Sequence, residues 1–375
     1  MINEERLLKT FLRLAKIDSP SLKEGAYAQE VIKILTDRGI KAFEDDTKNK
    51  VSGQCGNIIC HIPSTGETGG SPGIMFSAHM DTVEPCMGKK IIVDENDGVI
   101  RTDGETVLGA DDSAGVSAII EAFISLKEMG APHGDLWGIF TVGEEIGLFG
   151  SKSIDLDKYG INANYGYVLD AGGAIGTCCV QGPTQNIMKL RFRGKSAHAG
   201  IEPEKGVNAI VLASDTVVSI PQGRIDEETT CNVGVISGGK ATNIVPDTAI
   251  LDIEVRSLSE KKLEEITHDI LMKAETVCKR RGGSVSMESN NAYPAYCVSP
   301  DSSVIKDFSR ACSHIGIKPV YTKTGGGSDT NFYNKKGIPT VNVSVGMDKV
   351  HTTQECIKIS DLNRVCALVH ELCWK

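Results

Sequence analysis

Five short clusters in this sequence carry side chains able to do chemistry: His79-Met80-Asp81, Asp111-Asp112, Glu144-Glu145, Asp170 and His351. An imidazole can bind a metal ion, and a nearby carboxylate can fix its tautomer from behind. Two adjacent carboxylates repel each other unless a cation lies between them or one is protonated. Each cluster also fits a plainer reading. His79 and Asp81 suit a surface turn, Asp111 and Asp112 suit the cap of a helix, and Glu144 and Glu145 suit a solvated edge. Together they offer two imidazoles and several carboxylates, the mixed nitrogen and oxygen ligand set that suits zinc. With no Ser/His/Asp or Cys/His pattern in evidence, a site holding two metals would use water as its nucleophile. One of Glu144 and Glu145 would bind metal while its neighbour stays free as the base.

The elements that must position these residues are legible from hydrophobic periodicity. The apolar runs Asn57 to Ile62, Ile74 to Ala78, Leu136 to Val142 and Tyr165 to Leu169 read as strands, and a helix begins near Ser113. Strands alternating with helices imply an α/β sheet covered on both faces. His79 and Asp170 follow such runs directly, Glu144 and Glu145 follow one after Gly143, and His351 follows the run Val341 to Val345 after a short loop, so all are expected at the strand ends where open α/β sheets bind ligands. Ser21-Leu22-Lys23-Glu24 reads as a capping box for a helix carrying Ala28, Val31, Ile32 and Leu35 and closed by Gly39. Near the N-terminus, Leu8, Phe11, Leu12 and Ala15 recur at helical spacing, without the continuous apolar core of a signal peptide.

Between residues 185 and 290 the order changes to strand, helix, two strands, helix and strand, which is the βαββαβ order of a ferredoxin-like unit. This gives residues 1–184 and 291–375 as a catalytic domain, with 185–290 inserted into it. The formal charge of −9 offers no general attraction to phosphate backbones or anionic membranes, so neither nucleic acid nor membrane is expected as a partner. The twelve cysteines are scattered without CxxC spacing, and the expectation is reduced, mostly buried thiols in a cytoplasmic protein.

The clusters occur in the order Ser-Ala-His79-Met-Asp81-Thr-Val, Gly-Ala-Asp111-Asp112, Gly-Glu144-Glu145, Asp170 and a late His351. In this the chain resembles, along its whole length, the co-catalytic zinc peptidase family that includes peptidase T, carboxypeptidase G, succinyl-diaminopimelate desuccinylase and aminoacylase. The resemblance implies a zinc-exopeptidase-like mixed sheet flanked by helices and a ferredoxin-like lid through which dimeric members associate. It also implies two Zn2+ per subunit, with Co2+ or Mn2+ as substitutes. His79 and Asp170 would hold one ion, Glu145 and His351 the other, and Asp111 would bridge both. Asp81 would orient His79, Glu144 would be the general base, and the Asp111-Asp112 peptide bond would be cis.

Within the lid, His198 in Gly194-Lys-Ser-Ala-His-Ala-Gly, Asn243 and Arg256 match substrate contacts of the family, and Gly326 and Gly327 match its glycine-rich substrate loop. Gly194-Lys195-Ser196 has the look of a phosphate loop, but Lys189 stands where that motif needs its first glycine. One departure is Ser113, where family members often have lysine. Asp at position 170 and the pattern as a whole resemble peptidase T most, which implies removal of the N-terminal residue from short peptides, tripeptides in particular. The alternatives are an N-acyl amino acid hydrolase or carboxypeptidase of the same chemistry, and a metal-binding homologue without catalysis.

Overall fold

The computed structural model describes residues 2–65, 73–94 and 96–374. It divides into two compact units, one made of residues 1–181, 297–323 and 328–375 and the other of 182–296 with 324–327. These boundaries differ by a few residues from 184/185 and 290/291, because the strand Ser284–Tyr293 runs on past residue 290 and the short segment Thr324–Gly327 joins the second unit.

The first unit is built on a mixed sheet, nine-stranded among the described residues. Its order is Lys41–Glu44, Ile58–Ile62, Leu136–Thr141, Ile74–His79, Tyr165–Ala171, Thr340–Ser344, Thr177–Gly182 and Tyr296–Cys297, with Val320–Lys323 alongside Thr177–Gly182. The four central strands run parallel to one another. Every residue of Ile74–His79, Leu136–Thr141 and Thr340–Ser344 is buried; the first two accordingly read as largely apolar runs, whereas Thr340–Ser344 alternates polar and apolar residues although all of them are buried. The helix Ala110–Met129 is buried almost throughout its first seventeen residues and closes on Gly130 in the left-handed conformation.

The helix expected from Leu8, Phe11, Leu12 and Ala15 is present, and one expectation just after it is corrected. The first helix, Glu4–Ala15, buries Leu7, Phe11, Leu14 and Ala15, while Leu8 and Leu12 are half-buried. The second helix, Gly25–Thr36, starts beyond the supposed capping box. Ser21 instead donates to Asp81 Oδ2 at 2.6 Å, and Glu24 Oε1 accepts from the N–H groups of Leu22 at 2.8 Å and Gly143 at 2.9 Å. Residues read as a local cap are bound to segments far along the chain. A small four-stranded sheet, ordered Met347–Asp348, Cys356–Lys358, Val99–Thr102 and Ile91–Asp94, has no counterpart in the sequence reading, because its strands are only two to four residues long.

The second unit is a five-stranded antiparallel sheet in the order Gly223–Arg224, Thr229–Gly238, Thr248–Ser257, Thr184–Arg193 and Ser284–Tyr293. With the helices Ala209–Ser219 and Glu260–Arg281 it is the expected βαββαβ unit, with a two-residue edge strand added. It has its own core, in which Leu190, Phe192, Leu212, Leu251, Ile253 and Ile270 pack together. All twelve cysteines are free; ten are buried and Cys297 is exposed. No helix among the described residues is long and apolar enough to cross a membrane.

Candidate metal centre and active site

Parallel pairing brings the reactive residues to one edge. Ser77 pairs with Val168 and His79 with Thr141, so two residues further along His79 and Asp170 are level, and the chain leaving Thr141 enters the Gly143-Glu144-Glu145 turn at the same height. Because side chains alternate along a strand, His79 and Asp170 project from the same face. Their side chains meet there, with His79 Nε2 3.8 Å from Asp170 Oδ1 and 2.9 Å from Asp111 Oδ1.

His351 arrives differently. It lies in the loop joining Met347–Asp348 to Cys356–Lys358, with a left-handed φ of 61°, and its Nε2 is 3.1 Å from Glu145 Oε2 and 3.3 Å from Asp111 Oδ2. Two groups that could hold a metal ion result, His79/Asp111/Asp170 and Asp111/Glu145/His351, each with its donor atoms within 4.8 Å of one another. Asp111 belongs to both. Glu144 comes within the same distance of His79 and Glu145.

The Asp111-Asp112 pair divides between its two readings. The peptide bond joining them is cis, and both residues depart from helical backbone angles. Asp111 faces the histidines. Asp112 caps the helix by accepting from Gly115 N–H at 3.0 Å, and its other oxygen accepts from the His79 N–H at 3.1 Å. Ser113 Oγ accepts a hydrogen bond of 3.0 Å from the buried Tyr27 hydroxyl, which gives this departure from the family pattern a partner of its own.

Asp81 is fully buried, and its main-chain carbonyl, 2.9 Å from His79 Nδ1, is the acceptor that orients the imidazole. Its carboxylate lies farther from that ring, at 3.5 Å, and accepts instead from the N–H groups of Glu144 at 2.9 Å and Glu145 at 3.2 Å. Asp329, also buried, ties the start of the same turn to the helix after it, accepting from Thr141 Oγ1 and Ser151 Oγ, both at 2.5 Å. Neither this role of Asp329 nor that of Glu355, whose carboxylate receives the N–H groups of Leu108, Gly109 and Asp111, carries a signal in the sequence.

The electrostatics show what the cluster needs. Burial, reinforced by the charge of Asp170, pushes the Glu144 carboxyl well above its ordinary range, and burial with the charge of Asp111 does the same to Asp170. Although burial also pushes Asp111 up, hydrogen bonds from His351 and His79 hold it well below the usual range. Those same contacts, with Asp111 and Glu145 as acceptors, raise His351 to about 10. Buried Glu145 Oε1 has no hydrogen-bond partner. An orphaned carboxylate oxygen beside several carboxyl groups and two imidazoles is costly unless cations are present. The donor set therefore fits divalent metal ions.

The remaining candidates lie in the second unit. His198 and Asn243 are brought together there: the Ala199 N–H donates to the Asn243 carbonyl at 3.0 Å, and His198 pairs with Ile244. Arg256 is held by Glu254 Oε2 at 3.2 Å, its Nη1 lies 3.5 Å from the Gly325 carbonyl, and its buried Nε has no partner. Gly326 and Gly327 continue that segment. A side chain at Gly327 would meet the Tyr293 ring at 2.4 Å.

Comparison with known proteins gives a consistent picture. Residues 57–180 match the model of peptidase family M28, and residues 187–297 match that of a peptidase dimerisation domain. The chain is 42% identical to the crystallised aminopeptidase PepT of Bacillus cereus, covering 99% of this chain and 98% of that one with a TM-score of 0.91. It is 36% identical to a tripeptidase of Staphylococcus aureus, covering 100% and 98% with a TM-score of 0.94. A peptidase T of Listeria welshimeri is 27% identical over 98% of both chains.

Proposed function

We propose that this chain, which belongs to the peptidase T-like members of the co-catalytic metallopeptidase family, removes the N-terminal residue from short peptides, tripeptides in particular. The observation that carries this reading is the pair of ligand triads sharing Asp111 beside a buried Glu144. His79, Asp111 and Asp170 would hold one ion, and Asp111, Glu145 and His351 the other, with zinc the metal best suited to these donors. A divalent pair there supplies Lewis acidity, lowering the pKa of water and polarising a carbonyl oxygen.

The protein's own part falls to Glu144 and its supports. Glu144 accepts the proton given up by the attacking water and later delivers it to the departing amine nitrogen. A carboxyl whose proton affinity is raised by burial suits both halves of that transfer. Asp81 holds the Glu144 main chain in place, and its carbonyl keeps His79 in the tautomer that leaves Nε2 toward the metal. In the second unit His198, Asn243, Arg256, Gly326 and Gly327 are proposed to contact the peptide. Arg256 carries a planar guanidinium of the kind that can hold a carboxylate bidentately.

Association of two copies through the second unit is also proposed. It is supported by the dimerisation-domain match and by the strand Thr229–Gly238, whose outer edge pairs with the two-residue strand Gly223–Arg224 near its start and which exposes Val235 and Ile236 further along.

The test is hydrolysis of a defined tripeptide by metal-stripped and zinc-reloaded protein, with products identified by chromatography and mass. Release of the N-terminal residue only after reloading is expected. Release of the C-terminal residue, or activity confined to N-acyl amino acids, would move the protein to the carboxypeptidase or deacylase alternative. Inactivity on all three would leave a metal-binding homologue without catalysis.

A further inference from the structure

Asp111 is the one residue common to both ligand triads, so the position of its main chain governs both. That main chain is held from a distant segment. Glu355, 1% exposed, lies 244 residues further along the chain, and its Oε1 accepts from the Asp111 N–H at 2.9 Å. Its Oε2 accepts from the N–H groups of Leu108 and Gly109, both at 2.8 Å. Gly109 adopts a left-handed conformation with φ 76° and ψ 30°, which turns successive N–H groups toward one point and forms a concavity for an anion. Glu355 is that anion.

The same loop delivers His351, four residues earlier, to the other side of Asp111, with its Nε2 3.3 Å from Oδ2. A single short segment therefore grips Asp111 twice, by its main chain and at its carboxylate. His351 itself sits at a left-handed φ, a conformation that a residue with a side chain holds only where its surroundings enforce it. The bonds from Glu355 to the Leu108–Asp111 turn supply part of that enforcement.

We propose that Glu355 is a positioning residue that locks the bridging carboxylate of Asp111 and the imidazole of His351 into one frame, and so sets how tightly the ion between them is held. The inference rests on the two-metal reading above. It concerns the ligand frame and not the peptide.

The test is Glu355→Gln, which keeps the shape but turns an N–H toward main-chain donors. Zinc affinity of metal-free wild type and variant is measured by competition with a chromophoric chelator, alongside thermal unfolding of both metal-free proteins. The expected result is two ions bound by the wild type and a loosening of the weaker-held ion by roughly 10–100-fold in the variant. A purely structural role would lower the unfolding temperature and leave zinc affinity unchanged, and that outcome overturns the proposal. Should Glu355→Gln not fold, Glu355→Asp, which withdraws the charged acceptor from the turn by one methylene, decides by the same criterion. A wild type that binds no zinc would overturn the two-metal reading itself, whereas a wild type with two tight ions beside an unaltered variant would overturn only the role of Glu355.

Discussion

Glu24→Gln should stabilise the metal-free protein at alkaline pH, although it removes a buried carboxylate beside the reaction centre. Glu24 is fully buried. Its Oε1 accepts both main-chain bonds, from Leu22 and Gly143, while its Oε2 is buried without a partner. An amide keeps the first oxygen and replaces the second, so no donor loses its acceptor. Burial and the nearby charge of Asp81 raise the Glu24 carboxyl from its ordinary 4.5 to about 7.

The sign follows from linkage. A carboxyl whose folded pKa lies above its unfolded value contributes stability that is fully present below pH 4.5 and is lost as pH rises through about 7. That rise corresponds to about 3 kcal/mol between the neutral and ionised forms. Glutamine stays neutral at every pH. The variant should therefore match the wild type within about 1 kcal/mol at pH 4.5 and exceed it by up to about 3 kcal/mol at pH 8.5. Urea unfolding of chelator-treated protein at the two pH values measures the difference directly. A variant less stable than wild type at pH 8.5 would refute the reasoning, because it would mean that the ionised carboxylate is needed as an acceptor.

Glu144→Gln should retain metal content, by elemental analysis, while kcat on a tripeptide falls by roughly 10²–10⁴-fold; unchanged turnover would remove Glu144 as the base. In Asp81→Asn, one of the N–H groups of Glu144 and Glu145 faces an amide N–H, so urea unfolding should show a loss of about 1–3 kcal/mol, and an unchanged midpoint would mean both groups find water. Because Asp111 and Glu145 hold a proton on His351 up to about pH 10, metal binding near pH 7 should expel it, and calorimetry in buffers of different ionisation heat should show proton release that is smaller in His351→Ala than in the wild type. Arg6→Ala strips the guanidinium from Glu121, which is 1% exposed and bonded at 2.6 Å, and should cost about 3–5 kcal/mol in chemical unfolding with activity at the native baseline unchanged.

How much of this was legible depended on where each residue's partners lie. Two of the central strands announce themselves because both of their faces are buried: apart from Ser77, Ile74–His79 and Leu136–Thr141 hold no polar residue before their last. The order of the second unit was readable for a related reason: its long strands alternate, as Thr248–Ser257 does residue by residue, and its helices keep their apolar spacing. Asp111 and Asp112, by contrast, could not be separated in the sequence into a residue facing the histidines and a helix cap. Their side chains diverge only because of the backbone angles that both adopt. The strands flanking His351 are two and three residues long, too short for any periodicity, so its position on a hairpin loop was not foreseeable.

The carboxylates that hold the site were illegible for a deeper reason. Glu24, Glu355 and Asp81 accept main-chain N–H groups, and a main-chain donor has no residue type for a pattern to register. Their partners are also remote: Glu24 reaches Gly143 across 119 positions and Asp81 reaches Glu144 across 63. Such acids look like ordinary surface residues or helix caps, as Glu24 does in Ser21-Leu22-Lys23-Glu24. Yet each binds a turn that presents a proposed metal ligand or the proposed base, and a turn has no regular hydrogen bonding of its own to fix it. Ligand types and their order along the chain are a property of the sequence, whereas the accuracy with which six side chains from five segments converge is set by these long-range acceptors. Substituting them should therefore disturb metal affinity and turnover while leaving every motif in the sequence intact.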